Sequence, residues 1–268
     1  MRYVCFNGTF SAAGMPVIHA ANRSYRYGDG FFETLRVHRS AIPLWKYHQA
    51  RILKSIAQLG YTFAQDPEAL FNNILHLCTL NNCADSARVR LSFSNGDGSL
   101  FDDAPLHYLI EATAFTTPAA GNGLLLGRYD ELQKEVHAFS ELKLASSFIY
   151  SRAAQTCRLR GWDDCIIENT RHQAIETVIS NLFWIKEGQL FTPPVSDGCV
   201  AGVFRAYLLD TGPHIAIQSC LPGTLEHADE VFLTNALRGI RKVQQIGDTG
   251  YKTARTELLL QQHTKLFS

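Results

Sequence analysis

Residues 113–122 break the chain in two, and no other stretch constrains the fold as strongly. The run holds Pro118 and Gly121 among small residues and follows neither the helical nor the strand period, so it reads as a linker. It separates an N-terminal domain at 1–115 from a C-terminal domain at 123–268, with 116–122 between them. In a chain of 268 residues, 46% of them apolar, each part has enough side-chain volume to bury a core.

Two periodicities alternate within these halves. In the first, residues 3–6 form a short strand closed by the turn signal Asn7-Gly8. A glycine-punctuated loop at 22–30 leads into a strand at 31–38. Phe32, Thr34, Arg36 and His38 lie on one face of that strand, and Phe31, Glu33, Leu35 and Val37 on the other. Mixed charge on both faces suits a strand lining a polar pocket. Ile52, Ile56 and Leu59 mark a helix that stops at Gly60; Asp66-Pro67-Glu68 starts a second, over 66–80. The strand at 87–94 puts Val89, Leu91 and Phe93 on one face and Arg88, Arg90, Ser92 and Ser94 on the other.

In the second half, strands are expected at 123–129, 164–168, 174–179, 182–186 and 189–192. A helix runs to Gly161 behind Lys143, and the glycine-containing run 198–202 opens another. The fold class is α+β: a small mixed α/β domain and a larger β-rich domain with flanking helices.

Charge and motif content exclude several classes. Lys plus Arg equals Asp plus Glu at 25 each, so no net field draws the chain to nucleic acid or an anionic membrane. The start of the chain lacks the apolar run of a signal peptide, and no stretch reaches the roughly 18 apolar residues of a membrane span, which points to the cytoplasm. The seven cysteines are scattered without a Cys-x-x-Cys pair, as buried thiols would be, and no metal site is expected. A GxSxG elbow and an HExxH pair are both missing. Gly28-Asp29-Gly30 lacks a third glycine and precedes a strand, unlike a dinucleotide fingerprint. The run ending at Gly202 precedes a helix, a position that suits either a phosphate or a simple cap.

The strings YGDGFFETLRV at 27–37, HQAR at 48–51 with Ser55, Lys143, Glu176 with Asn181-Leu182-Phe183, TPP at 192–194, GVFR at 202–205 and DEVFLTN at 229–235 resemble, in order and over nearly the whole chain, the class IV aminotransferases. Those are the fold-type-IV pyridoxal-phosphate enzymes: D-amino-acid transaminases, branched-chain transaminases and aminodeoxychorismate lyases. The resemblance implies a two-domain fold and a homodimer with pyridoxal 5′-phosphate as cofactor. It implies that Lys143 forms the Schiff base and shuttles the proton, and that Glu176 bonds the pyridine nitrogen. Arg51 would hold the phosphate with the backbone of Gly202, Val203 and Phe204, near Asn235 and Ala236. Relatives often carry Thr at the position of Phe204 and a hydroxyl near Ala236, so backbone amides would bear more of the phosphate here.

The substrate side departs further. Branched-chain transaminases usually have Tyr where Phe148 stands. The D-amino-acid transaminases trap the carboxylate with an Arg and a Tyr at the positions of Asn95 and Phe32. Arg26 and Arg90, with Tyr27 and Phe32 beside them, are the candidate replacements. The expected activity is amino transfer between a D-amino acid, D-glutamate or D-alanine, and 2-oxoglutarate or pyruvate. Aminodeoxychorismate lyase is the alternative, because Asn235-Ala236-Leu237 resembles that branch; branched-chain transamination ranks below both.

Overall fold

The computed structural model describes residues 2–117 and 121–267, so residues 118–120 of the expected linker lie outside the described residues. Tertiary contacts group the chain into two units: Met1–Thr117 with Leu142–Ser147 and Phe267, and Pro118–Glu141 with Phe148–Leu266 and Ser268. A C-terminal domain running unbroken over 123–268 therefore needs one correction. The hexapeptide carrying Lys143 packs with the first unit, because its backbone pairs there.

The first unit is a five-stranded antiparallel sheet under two helices. Its elements are β1 (Tyr3–Phe6), β2 (Thr9–Ala12), α1 (Arg23–Tyr27), β3 (Gly30–His38), α2 (Trp45–Leu59), α3 (Pro67–Leu80), β4 (Ser86–Ser94) and β5 (His107–Ala114). The strand order is β2-β1-β5-β4-β3, which leaves β3 at an edge. Asn7 and Gly8 at φ 48° and 85° make the tight β1–β2 turn. Asp66 caps α3 by accepting the Glu68 amide, with Pro67 in the first turn.

The alternation read from the sequence decides the layers. Phe31, Leu35, Val37, Val89, Leu91 and Phe93 join Ile52 of α2 and Leu70, Ile74 and Leu77 of α3 in one core, while Phe32, Thr34, Arg88 and Arg90 occupy the other sheet face. The expected loop at 22–30 contains a helical turn instead. Asn22 accepts the Tyr25 amide at its start and Gly28, at φ 70°, ends it. Gly30 follows where the chain needs the smallest residue, since a Cβ there would stand 2.1 Å from the Phe93 carbonyl oxygen.

The second unit is a sheet closed on itself. It contains β6 (Leu124–Arg128), α4 (Phe148–Arg160), β7 (Asp164–Glu168), β8 (Ala174–Thr177), β9 (Asn181–Lys186), β10 (Gln189–Thr192), α5 (Val203–Thr211), β11 (Ile215–Ile217), β12 (Glu230–Asn235), β13 (Gly239–Ile246), β14 (Thr249–Gly250) and α6 (Ala254–His263). Strand order is β11-β10-β9-β12-β13-β6-β7-β8, and a β8–β9 pairing at Glu176–Asn181 closes the ring. β9 is buried on both faces through Ile185, which explains its unbroken apolar run. Buried Glu230 accepts the amides of Arg255 and Thr256 and so caps α6 from a distant strand. The helix at 198–209 expected from the glycine run starts later, at Val203, behind the N-cap Gly202. Among the described residues no helix is long and apolar enough to cross a membrane.

Candidate active site

Lys143 is held by the open edge of β3. The Phe32 amide donates to the Lys143 carbonyl at 2.9 Å, and the Ala145 amide donates to the Gly30 carbonyl at 2.9 Å. Phe31 and Leu144 form the bridge between these bonds. An edge strand offers one unpaired row of amides and carbonyls, and here a segment more than a hundred residues downstream satisfies part of it. The Lys143 backbone is therefore fixed and its side chain can be aimed: Nζ lies 4.5 Å from the centroid of the Phe32 ring.

Behind the same strand lies a buried charged cluster. Glu33 accepts from Arg51 through both oxygens, Nε to Oε1 at 2.7 Å and Nη2 to Oε2 at 2.6 Å. His48 Nδ1 donates to Oε2 at 2.7 Å. Burial would raise the Glu33 carboxyl, but the Arg51 charge and the His48 bond outweigh it and hold it at about 2. Burial depresses His48 below its usual range; Glu33 opposes this, and Arg51 and Lys143 add to it. The helical spacing that brings His48 and Arg51 to one carboxylate is a three-residue step on α2.

The Phe32 ring gathers two cations, with Arg90 4.0 Å and Lys143 4.5 Å from its centroid. Burial lowers the Arg90 guanidinium below its ordinary range, and its Nε donates to Ser92 at 3.1 Å. Of the four expected substrate residues, this unit thus brings Arg90 and Phe32 together with Lys143. Tyr27 is exposed at the end of α1. Arg26 is exposed too, and its guanidinium donates to the carbonyls of Ala20 at 2.9 Å and Gly98 at 3.4 Å, which ties it to its own loop.

In the second unit Glu176 is 3% exposed on β8. Its Oε1 accepts from Lys134 Nζ at 2.8 Å and Tyr150 OH at 2.7 Å, and its Oε2 accepts from the Val200 amide at 2.9 Å. Asn181 donates to the Val200 carbonyl at 2.8 Å. The segment bonded to both motif residues then runs to Gly202, which heads α5 without a side-chain cap. Arg205 ties α5 to the TPP string through the Pro193 carbonyl at 2.9 Å. Asn235 accepts from the amides of Leu237 and Arg238 and donates to Ser180 at 3.0 Å, so it shapes the turn that carries Ala236.

Gly202→Ala is expected to damage this end selectively. Its φ of −70° suits alanine, yet the new Cβ would stand 1.7 Å from Asn181 Oδ1. Asn181 must move, giving up its bond to Val200. We expect the variant to lose about 1 kcal/mol of stability, roughly the value of one lost hydrogen bond, as read by urea unfolding against the parent.

All seven cysteines are free and buried. Cys157, Asp164 and Cys165 bring ligand atoms within 4.8 Å of one another. The Asp164 carboxylate already accepts from Thr177 and the amides of Cys165 and Val178.

A closed β unit with a buried Glu–Asn pair before a helix N-terminus, and a lysine pinned to the edge of a separate antiparallel sheet, define a class that sequence comparison makes explicit. The amino-transferase class IV family model matches residues 30–246, and the chain belongs to that family. It is 26% identical over 267 residues to an aminodeoxychorismate lyase of Vibrio harveyi, covering 88% of this chain and 91% of the lyase. It is 22% identical over 253 residues to a D-alanine aminotransferase of Bacillus licheniformis, covering 91% and 88%. The Escherichia coli branched-chain amino acid aminotransferase superposes with a TM-score of 0.90 at 20% identity, covering 100% of this chain and 95% of that one. The fold is fold type IV, and the cofactor of the family is pyridoxal 5′-phosphate.

The residues of the second unit fit such a group. A carboxylate has about four acceptor positions, and Glu176 fills three, leaving one on Oε2 for a ring N–H. The N-terminus of α5 begins at Gly202, which contributes no side-chain cap, so the first amides of the helix are available to an anion. Sequence reasoning missed Glu33, Lys134 and Tyr150. Glu33 had a signal, a lone carboxylate on the apolar face of its strand; Lys134 and Tyr150 had none, because only the tertiary fold brings them to Glu176.

Proposed function

We propose that this chain binds pyridoxal phosphate on Lys143 and releases pyruvate from aminodeoxychorismate to give 4-aminobenzoate. The observation that supports the lyase reading is the similarity, at 26% and 25% identity over 88% and 99% of this chain, to two proteins with that activity in their names. The Asn235-Ala236-Leu237 turn and the lack of an Arg at Asn95 agree with it. Amino transfer between D-glutamate or D-alanine and a 2-oxo acid is the second reading, favoured by the similarity to D-alanine aminotransferase. Branched-chain transamination is the weakest of the three: Phe148 stands 69% exposed in place of the usual tyrosine.

When bound, the cofactor supplies a ring that accepts the electrons left as the substrate carbon loses its proton. Lys143 would anchor it covalently and carry that proton on Nζ. Glu176 would accept from the ring nitrogen at Oε2. Arg51, with the backbone of Gly202, Val203 and Phe204 and the turn at Asn235 and Ala236, would hold the phosphate. Arg90, packed on Phe32 beside Lys143, would bind a substrate carboxylate. Arg26 and Tyr27 remain candidates for the outer substrate contacts. We take the working form to be a homodimer whose ligands besides cofactor are small molecules, aminodeoxychorismate and its products in the first reading and amino and oxo acids in the second.

The test is a direct assay of both outcomes. Purified protein with cofactor and aminodeoxychorismate should release pyruvate; D-glutamate with pyruvate should yield little D-alanine. Amino transfer without pyruvate release from aminodeoxychorismate would move the assignment to the second reading. Under either, Arg90→Ala should raise KM for the carboxylate substrate about 10- to 100-fold, the value of one charge-assisted bond, with kcat changing less. An unaltered KM would remove Arg90 from the substrate site.

A further inference from the structure

We infer that Lys134 and Tyr150 are positioning residues that keep the negative charge on Glu176, so that the shared proton rests on the cofactor ring nitrogen instead of on the carboxyl group. The inference rests on the reading that Glu176 faces that nitrogen. It concerns two residues that lie outside every motif string of the chain.

Both act on one oxygen. Lys134 Nζ and Tyr150 OH converge on Glu176 Oε1 at 2.8 and 2.7 Å, and they are bonded to each other at 2.6 Å. Lys134 is fixed further by the Ser140 carbonyl at 3.2 Å. The Lys134 and Glu176 side chains are 12% and 4% exposed, so water screens their attraction little. Burial, and next the Glu176 charge, raise the Tyr150 phenol well above its ordinary range; it stays a donor. With an ammonium, a phenol and the Val200 amide all donating, a proton on either Glu176 oxygen would oppose at least one of them.

This matters because a carboxylate and a protonated ring nitrogen share one proton. Moved to the carboxyl, that proton leaves a neutral ring, a poorer acceptor for the electrons of the substrate carbon. A cation 2.8 Å from the carboxylate favours the charge-separated arrangement, because it lies against the carboxylate side of the shared bond. Lys134 belongs to the 129–141 stretch between β6 and the Lys143 segment, held by Lys134 N to Glu168 O at 2.9 Å. Its backbone bond is thus independent of the side chain that would be changed.

The experiment uses the full chain loaded with cofactor labelled with 15N in the ring, and reads the ring nitrogen chemical shift by NMR. Glu176→Gln removes the negative charge and, because Lys134 and Tyr150 both donate at the Oε1 end and hold the amide oxygen there, turns an NH2 donor toward the ring. It is expected to move the shift to the unprotonated limit. Lys134→Met should move it part of the way in the same direction, Tyr150→Phe less far, and Lys134→Arg should restore it. Melting curves confirm that each variant is folded, and Tyr150→Phe, which removes a single oxygen, serves if Lys134→Met does not fold. If Glu176→Gln moves the shift and neither Lys134→Met nor Tyr150→Phe does, the inference is overturned while the Glu176 assignment stands. If Glu176→Gln moves nothing, Glu176 does not face the ring, and the reading beneath the inference falls with it.

Discussion

Lys143→Ala is expected to abolish turnover, by at least about a thousandfold, and to remove the covalently held visible absorption band, while leaving the fold intact. The separation follows from how the residue is held. Its contribution to the first unit is backbone: the carbonyl that accepts from Phe32 is kept by alanine, as is the neighbouring Ala145 to Gly30 bond. The side chain takes with it the Nζ contact over the Phe32 ring, worth about 0.5–1 kcal/mol at a partly exposed site. Absorption spectra and melting curves on the same sample distinguish this outcome from simple unfolding. Retained turnover would mean that a different amine does the chemistry.

Glu33→Gln carries the largest expected loss of stability, about 3–5 kcal/mol, the typical cost of leaving a buried charge without its partner. The carboxylate is 1% exposed and holds both Arg51 and His48; the amide cannot accept through both ends, so Arg51 loses half of its fork. Urea unfolding of the variant and the parent gives the difference directly. The same cluster sets the acid side of the stability curve. Glu33 sits at about 2 in the fold, below its ordinary value, so its stabilisation is complete above the unfolded value, near 4.5, and is lost as pH falls toward 2. His48, depressed by burial, must gain a proton in the unfolded chain first, so the decline begins as pH drops below its ordinary 6.5. In Glu33→Gln the step between about 4.5 and 2 should flatten.

Strand β4 and the helices α2 and α3 were legible in the sequence because each has one wet and one dry side, and β9 because burial on both faces leaves an unbroken apolar run. Val89, Leu91 and Phe93 against Arg88 and Arg90 specify both the strand and its orientation, and Asp66-Pro67 announces a helix by its unsatisfied first turn. The site was legible only where a short motif carries its own geometry. Gly202 before Val203 is local, and Glu176 with Asn181 spans a single hairpin. Where the chemistry depends on residues distant in sequence, the pattern is silent. Lys134 and Tyr150 converge on Glu176 through a fold that closes β8 on β9. The short helix Arg23–Tyr27 was hidden as well, since it depends on an Asn22 side chain and Gly28 more than on apolar spacing. The unit to which Lys143 belongs was not readable either. A lysine before a helix suggests attachment to that helix, whereas its carbonyl pairs with β3.

The most direct test of the account is to reduce the cofactor-loaded protein with borohydride, digest it and map the modified peptide by mass spectrometry. The pyridoxyl group is expected on Lys143 alone, with none on Lys134 despite its place beside Glu176. Modification of Lys134, or of any lysine other than Lys143, would contradict the assignment on which the proposed chemistry stands.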